Sequence, residues 1–284
     1  RRCLVGSEMC IRDSHRGSRS WQVPMPKEKI IEDTFIEIDK VTGKIIKSWG
    51  SNLFIMPHGL EIDKEDNIWI TDVGLHQVIK YDSNGNELMV LGKEYTPGKD
   101  SLHFNLPTDV AVSENGSFYV SDGYGNSRII KFSSEGEYLF EWGVFGENKN
   151  EFNIPHGLDL DKNGNVYVAD RENNKIQKFD SLGNFIAEWK NEVIGQLYSV
   201  NINNYENYLF GIDYVLSENL APLGSDIIKF DLDLNLKTKF GRSGNYKGPK
   251  ARYHDIQVDN KGNIYVGDIL NNTIQKFKPI KTLD

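Results

Sequence analysis

Apolar and polar residues alternate with period two along most of this chain, in short runs separated by turn residues. Four runs align: His58-Gly-Leu-Glu-Ile-Asp, Thr108-Asp-Val-Ala-Val-Ser, His156-Gly-Leu-Asp-Leu-Asp and His254-Asp-Ile-Gln-Val-Asp. Each reads as a strand, followed by a turn of the Lys-Asn-Gly-Asn kind and a second strand: Ile68-Trp-Ile-Thr, Ser117-Phe-Tyr-Val-Ser, Val166-Tyr-Val-Ala or Ile264-Tyr-Val-Gly. An aspartate closes each second strand, at Asp72, Asp122, Asp170 and Asp268, always 14 residues after the first aligned residue (58 to 72, 108 to 122, 156 to 170, 254 to 268). A degenerate fifth copy keeps the interval from Ser199 to Asp213.

A polar turn and a third strand follow the aspartate, as in Gln77-Val-Ile-Lys-Tyr, Arg128-Ile-Ile-Lys-Phe, Lys175-Ile-Gln-Lys-Phe, Asp226-Ile-Ile-Lys-Phe and Thr273-Ile-Gln-Lys-Phe, and usually a fourth ending in Trp-Gly or Phe-Gly. Four antiparallel strands in a repeat of roughly 40 to 50 residues predict the blade of a β-propeller. Helix has little room. Upstream, Thr34-Phe-Ile-Glu-Ile-Asp and Lys44-Ile-Ile-Lys-Ser-Trp-Gly read as the last two strands of another blade, and the final repeat lacks a clear fourth strand. The expected fold is therefore all-β, a propeller of six blades, or of five if the upstream strands complete the last blade.

Composition narrows the class. Hydrophobic residues make up 38% and charged residues 26%, as in a soluble globular protein. No apolar run reaches the roughly 20 residues needed to span a bilayer. The formal charge of −8, without a Lys/Arg stripe, argues against a nucleic-acid partner. Both cysteines, Cys3 and Cys10, lie in residues 1–14 (RRCLVGSEMCIRDS), which lack strand alternation and an apolar signal core. That segment reads as translated sequencing-adapter sequence. Residues 15–284 are then one propeller domain, expected as a monomer, with any native export signal lying outside the chain.

In a propeller the first strand of each blade lines the central channel, so equivalent repeat positions converge there. His58, His156 and His254 share one position, which Thr108 and Ser199 fill in the other copies. Three imidazoles at one point suit a catalytic Zn²⁺ with an open coordination position, although imidazole also suits iron, copper and nickel. The bland reading is a histidine merely tolerated at a strand start; three in register among six histidines weigh against it. His15, His76 and His103 fall outside the register and are expected at the surface or behind the site. Residues just after the closing aspartates open the next loop at the channel mouth, and there the copies differ, with Tyr124 in one and Arg171 in another. A tyrosine beside a cation can act as a base, and an arginine can grip a carboxylate bidentately. The alternative for both is an ordinary loop residue. The aspartates themselves are expected to be structural, satisfying nearby backbone N–H groups.

Met56-Pro-His-Gly-Leu, Leu106-Pro-Thr-Asp-Val-Ala-Val, Val120-Ser-Asp-Gly-Tyr-Gly-Asn-Ser-Arg-Ile and Val168-Ala-Asp-Arg-Glu-Asn resemble the peptidyl-α-hydroxyglycine α-amidating lyases, NHL-repeat propellers, in a free-standing bacterial-type form. The resemblance runs from about Arg16 to Phe277. It implies a zinc held by His58, His156 and His254, an essential tyrosine at Tyr124, and active-site arginines at Arg171 and Arg16. It also implies a structural Ca²⁺ on the Asp255 carboxylate and the main-chain carbonyl of Leu60, and a secreted or periplasmic location. Two departures stand out. Animal members carry disulfides at the positions of Asn105 with Gly125 and of Tyr167 with Lys178, and a methionine near the zinc corresponds to Arg252, a candidate substrate-binding cation.

The expected function is thus a zinc-dependent lyase that splits a peptidyl- or N-acyl-α-hydroxyglycine into an amide and glyoxylate. The rivals are a non-catalytic NHL propeller that binds a protein or carbohydrate, and a metal-dependent hydrolase of the lactonase kind, which the same fold would permit.

Overall fold

The computed structural model describes residues 26–279, which form strands and turns with no helix. Arg16, His15 and the segment 1–14 lie outside the described residues. The chain divides into two compact units, Arg1–His156 and Gly157–Asp284.

In the first unit β1 (Phe35–Ile38) pairs with β2 (Ile45–Trp49) as a sheet of two. A four-stranded meander follows, β3 (Pro57–Ile62), β4 (Ile68–Asp72), β5 (Gln77–Tyr81) and β6 (Glu87–Leu91), with neighbours in chain order. The next meander repeats it: β7 (Asp109–Val112), β8 (Phe118–Asp122), β9 (Arg128–Phe132) and β10 (Tyr138–Trp142). Between this sheet and the next, β11 (Val144–Phe145) and β12 (Glu151–Phe152) form a short parallel pair that the repeat did not announce. The unit boundary falls within β13 (Pro155–Leu160).

That strand opens a third meander with β14 (Val166–Asp170), β15 (Lys175–Phe179) and β16 (Phe185–Lys190). The degenerate copy forms the largest sheet, β17 (Gly195–Asn203), β18 (Tyr208–Leu216), β19 (Pro222–Gly224), β20 (Asp226–Asp231) and β21 (Leu236–Gly241), in which β19 caps the long end of β18. The last sheet has three strands, β22 (Tyr253–Val258), β23 (Ile264–Asp268) and β24 (Thr273–Phe277). These sheets of three to five strands are the blades of an all-β propeller, five in number among the described residues, the second of the two counts that the repeat allowed.

Burial explains where the period-two pattern is clean and where it is not. The outer strand β16 alternates between half-buried and exposed positions along its whole length. The second strands β4, β8 and β14 are buried at every residue, because apolar side chains cover both of their faces. Trp69 of β4 lies against Phe118 of β8 with ring centroids 4.6 Å apart, and Phe118 stacks on Phe132 at 5.2 Å. Each such buried side chain contributes about 1.5–3 kcal/mol.

The closing aspartates satisfy backbone donors, as expected. Asp72 accepts from the N–H groups of Ile55, Met56 and Leu75. Asp122 accepts from the Asn105 N–H and from Arg128, whose buried guanidinium also reaches the carbonyls of Lys99, Asp100 and His103. The loop before β7 is thereby tied to its sheet. The two pairs of positions that the resemblance marked as disulfide sites are adjacent in this fold. Gly125 N–H donates to the Asn105 carbonyl at 2.9 Å. Tyr167 and Lys178 are cross-strand partners, with the Lys178 ammonium 5.2 Å from the Tyr167 ring centroid.

Candidate active site

His58 sits second in β3 and His156 second in β13, at the strand position that the repeat aligned. His58 Nδ1 lies 2.6 Å from the Thr108 carbonyl oxygen, so that nitrogen carries the proton. Its Nε2 is then a lone-pair atom, the form in which imidazole accepts a proton or binds a metal. Thr108 holds the same register position one sheet over. Its contribution is the carbonyl that sets the His58 tautomer, while its hydroxyl donates to the Pro155 carbonyl at 2.7 Å beside His156. The sequence placed Thr108 in register but gave no sign of this service, since a main-chain carbonyl leaves no mark on residue type.

Tyr124 lies in the loop between β8 and β9, two residues past Asp122. Its hydroxyl oxygen is 3.0 Å from His58 Nε2 and 3.0 Å from His156 Nε2. The two imidazole rings are 4.7 Å apart, and the ligand nitrogens of the pair lie within 4.8 Å of each other. Tyr124 is 5% exposed, packed among Ile55, Met56, Val73, Leu75, Leu106 and Ile154. An apolar wall of this kind fixes the phenol with its oxygen toward the imidazoles.

Glycine makes the approach feasible. A Cβ on Gly123 would stand 2.0 Å from the Pro155 carbonyl oxygen, and one on Gly59 would stand 2.5 Å from Asp109 Cα. Neither position tolerates a side chain without displacing the strand that carries a site residue. Of the histidines outside the register, His76 is buried and accepts from the Leu106 N–H at 3.1 Å, behind Tyr124, and His103 pairs with Asp100 at 2.8 Å.

The second unit carries the other candidates. Arg171 opens the loop between β14 and β15, is 1% exposed, and donates from Nε to Glu172 Oε1 at 3.0 Å. Arg252 directly precedes β22, and its guanidinium meets the rings of Tyr198 and Tyr214 at 5.4 and 5.0 Å. His254 is buried, with its ring 5.3 Å from that of Tyr198. The next residue, Asp255, accepts from the Ser199 hydroxyl at 2.9 Å and from the Ile256 N–H at 2.8 Å, and burial pushes its carboxyl up. Ser199, the other non-histidine register residue, is thus bonded to a sequence-predicted candidate. Leu60 lies mid-strand in β3, opposite Ile70.

An all-β chain of repeated four-stranded sheets, with a tyrosine fixed against two in-register histidines, defines an NHL-type propeller with a first-strand site. The NHL repeat family matches residues 104–132 and 152–179. The chain is 31% identical to the human NHL repeat-containing protein 3, over 84% of this chain and 71% of that protein. It is 38% identical to a peptidyl-glycine alpha-amidating monooxygenase of Xenopus laevis over 89% of this chain, and 37% identical to the peptidyl-alpha-hydroxyglycine alpha-amidating lyase 1 of Drosophila melanogaster over 87%. It spans 28% of the Xenopus protein and 49% of the Drosophila one. Among solved structures a streptogramin B lyase superposes with a TM-score of 0.59 at 18% identity, over 87% of this chain and 76% of that one, a likeness of fold. The chain belongs to the NHL-repeat proteins, and it is similar to the peptidyl-α-hydroxyglycine α-amidating lyases among them.

Proposed function

We propose that this protein is a metal-dependent lyase that cleaves peptidyl- or N-acyl-α-hydroxyglycines to an amide and glyoxylate. The observation that carries the reading is the convergence of His58 Nε2 and His156 Nε2 on the Tyr124 oxygen, each at 3.0 Å. A phenol has one proton to donate, so with His58 Nε2 accepting it the second contact is closed by a proton on His156 Nε2 or by a shared cation. Repeat register adds His254 as a third imidazole, and three neutral histidines are a donor set suited to Zn²⁺. Bound there, the ion would make the hydroxyl of the substrate easier to deprotonate.

The protein's own groups account for the remainder. Tyr124, as phenolate, takes the proton of the substrate hydroxyl. The oxygen electron pair then forms the aldehyde C=O of glyoxylate as the C–N bond breaks, and the departing amide nitrogen takes a proton back, so the reaction balances without water or a redox partner. Arg171 orients the substrate carboxylate and meets developing negative charge. Arg16 joins it by the family pattern, and Arg252 adds a third cation on the substrate side. Asp255 and the Leu60 carbonyl are assigned to a structural Ca²⁺, since carboxylate and carbonyl oxygens are the ligands that ion prefers.

The test is glyoxylate release from a simple N-acyl-α-hydroxyglycine, measured above the spontaneous background. Release by the metal-loaded protein supports the lyase. Hydrolysis of lactones without glyoxylate release would favour the hydrolase, and no turnover with no stoichiometric metal would favour a binding propeller.

A further inference from the structure

The second unit contains a chain of hydrogen bonds that joins its two site arginines. Arg171 Nε donates to Glu172 Oε1 at 3.0 Å, and Gln196 Nε2 donates to the same oxygen at 2.6 Å. Gln196 Oε1 accepts from the Tyr198 hydroxyl at 3.2 Å, and that hydroxyl accepts from Arg252 Nη2. Every donor points toward the acceptor that it faces, so the chain has one consistent direction from each arginine inward. The middle of it is dry: Tyr198 is 0% and Gln196 5% exposed. Tyr198 also meets both guanidiniums through its ring, Arg171 at 5.3 Å and Arg252 at 5.4 Å, and Tyr214 supports the arrangement from 6.5 Å.

Such a network costs conformational freedom in two long side chains. That cost is repaid when both guanidiniums must keep a fixed geometry toward an anion. A tyrosine suits the task because its ring face attracts cations while its hydroxyl accepts from one of them.

We propose that Tyr198 is a positioning residue that holds Arg171 and Arg252 as one carboxylate-recognition pair, an inference that rests on the substrate-orienting role given to Arg171 above. Gln196 is the relay between the two arms. Neither residue touches the reacting bond.

The experiment is calorimetric binding of N-benzoylglycine, an unhydroxylated and therefore unreactive carboxylate, beside N-benzoylglycinamide, which lacks the charge. It uses the full chain and its Tyr198→Phe variant, which keeps the ring and removes the hydroxyl. Expected is a carboxylate affinity about tenfold weaker in the variant, the loss of one charge-assisted hydrogen bond, with the amide's affinity unchanged. In turnover kcat/KM should fall, with KM carrying the larger share. Gln196→Glu, which keeps the acceptor and loses the donor to Glu172, should weaken the carboxylate in the same way. Equal carboxylate affinity in Tyr198→Phe and wild type, parallel loss for acid and amide, or no carboxylate binding by wild type would each overturn the proposal. Tyr198-dependent carboxylate binding without any glyoxylate release would sink the lyase and leave this pair standing.

Discussion

Tyr124 carries one proton and faces two imidazoles, so its hydroxyl decides what the cluster can do. Tyr124→Phe keeps the apolar packing of the ring and removes the oxygen that His58 and His156 share. Glyoxylate release should fall by about a hundredfold or more, within the usual range for a general base, while metal content stays at the wild-type level. Unchanged turnover would take the tyrosine out of the mechanism. Gly123 is the adjacent constraint. Its replacement by alanine puts a methyl group 2.0 Å from the Pro155 carbonyl oxygen, next to His156. Overpacking of this kind costs about 1–3 kcal/mol, and the strand that must move carries a site histidine. Thermal unfolding should drop by several degrees and activity should fall with it; a variant as stable and as active as wild type would show that the backbone gives way freely.

At the scale of strands, the constant interval from register residue to closing aspartate made the sheets legible. The second strands β4, β8, β14 and β23 each end on the aspartate, Asp72, Asp122 and Asp268 collect backbone donors, and this requirement cannot slip by a residue without turning the strand over. The upstream pair appeared as β1 and β2, and the last repeat has three strands as its sequence suggested. What escaped notice lacks a side-chain signature. The β11–β12 and β18–β19 pairings are fixed by backbone contacts beyond the repeat, and the Thr108 carbonyl is invisible in residue type. Tyr198 was unreadable for a different reason: its partners Arg171 and Arg252 lie 27 and 54 residues away in number (198 minus 171, 252 minus 198). Arg128 shows the same limit. It reads as the start of an alternating strand, yet its side chain is 0% exposed, with Asp122, Glu141 and three carbonyls as acceptors. Arg128→Ala should cost about 3–5 kcal/mol, because it strands Asp122 in the interior. A denaturation midpoint close to wild type would contradict that account.

For the molecule as a whole, buried acid sets a pH trend. Asp159 of β13 accepts from the Ile202 N–H at 2.6 Å and from Asn201 Nδ2 at 3.0 Å. Burial, with the charges of Asp255 and Asp161 nearby, holds its carboxyl well above the ordinary value of 3.8. Over the window from 3.8 upward the folded chain keeps a proton that the unfolded chain has released, so this group's contribution to stability falls as pH rises. The unfolding temperature of Asp159→Asn relative to wild type should therefore climb from pH 4 toward neutrality. A pH-independent difference would show that Asp159 is ionised in the fold. The net charge of −8 acts in the same direction through self-repulsion, and salt should reduce that part alone.

The central claim is that in-register histidines hold the ion on which the lyase depends. Its most direct test is one preparation of His156→Ala beside wild type, assayed for bound zinc and for glyoxylate release from the same N-acyl-α-hydroxyglycine. The account predicts about one zinc per wild-type chain by the coordination argument, and loss of both metal and release in the variant. Glyoxylate release that persists in the variant at the wild-type rate would contradict it.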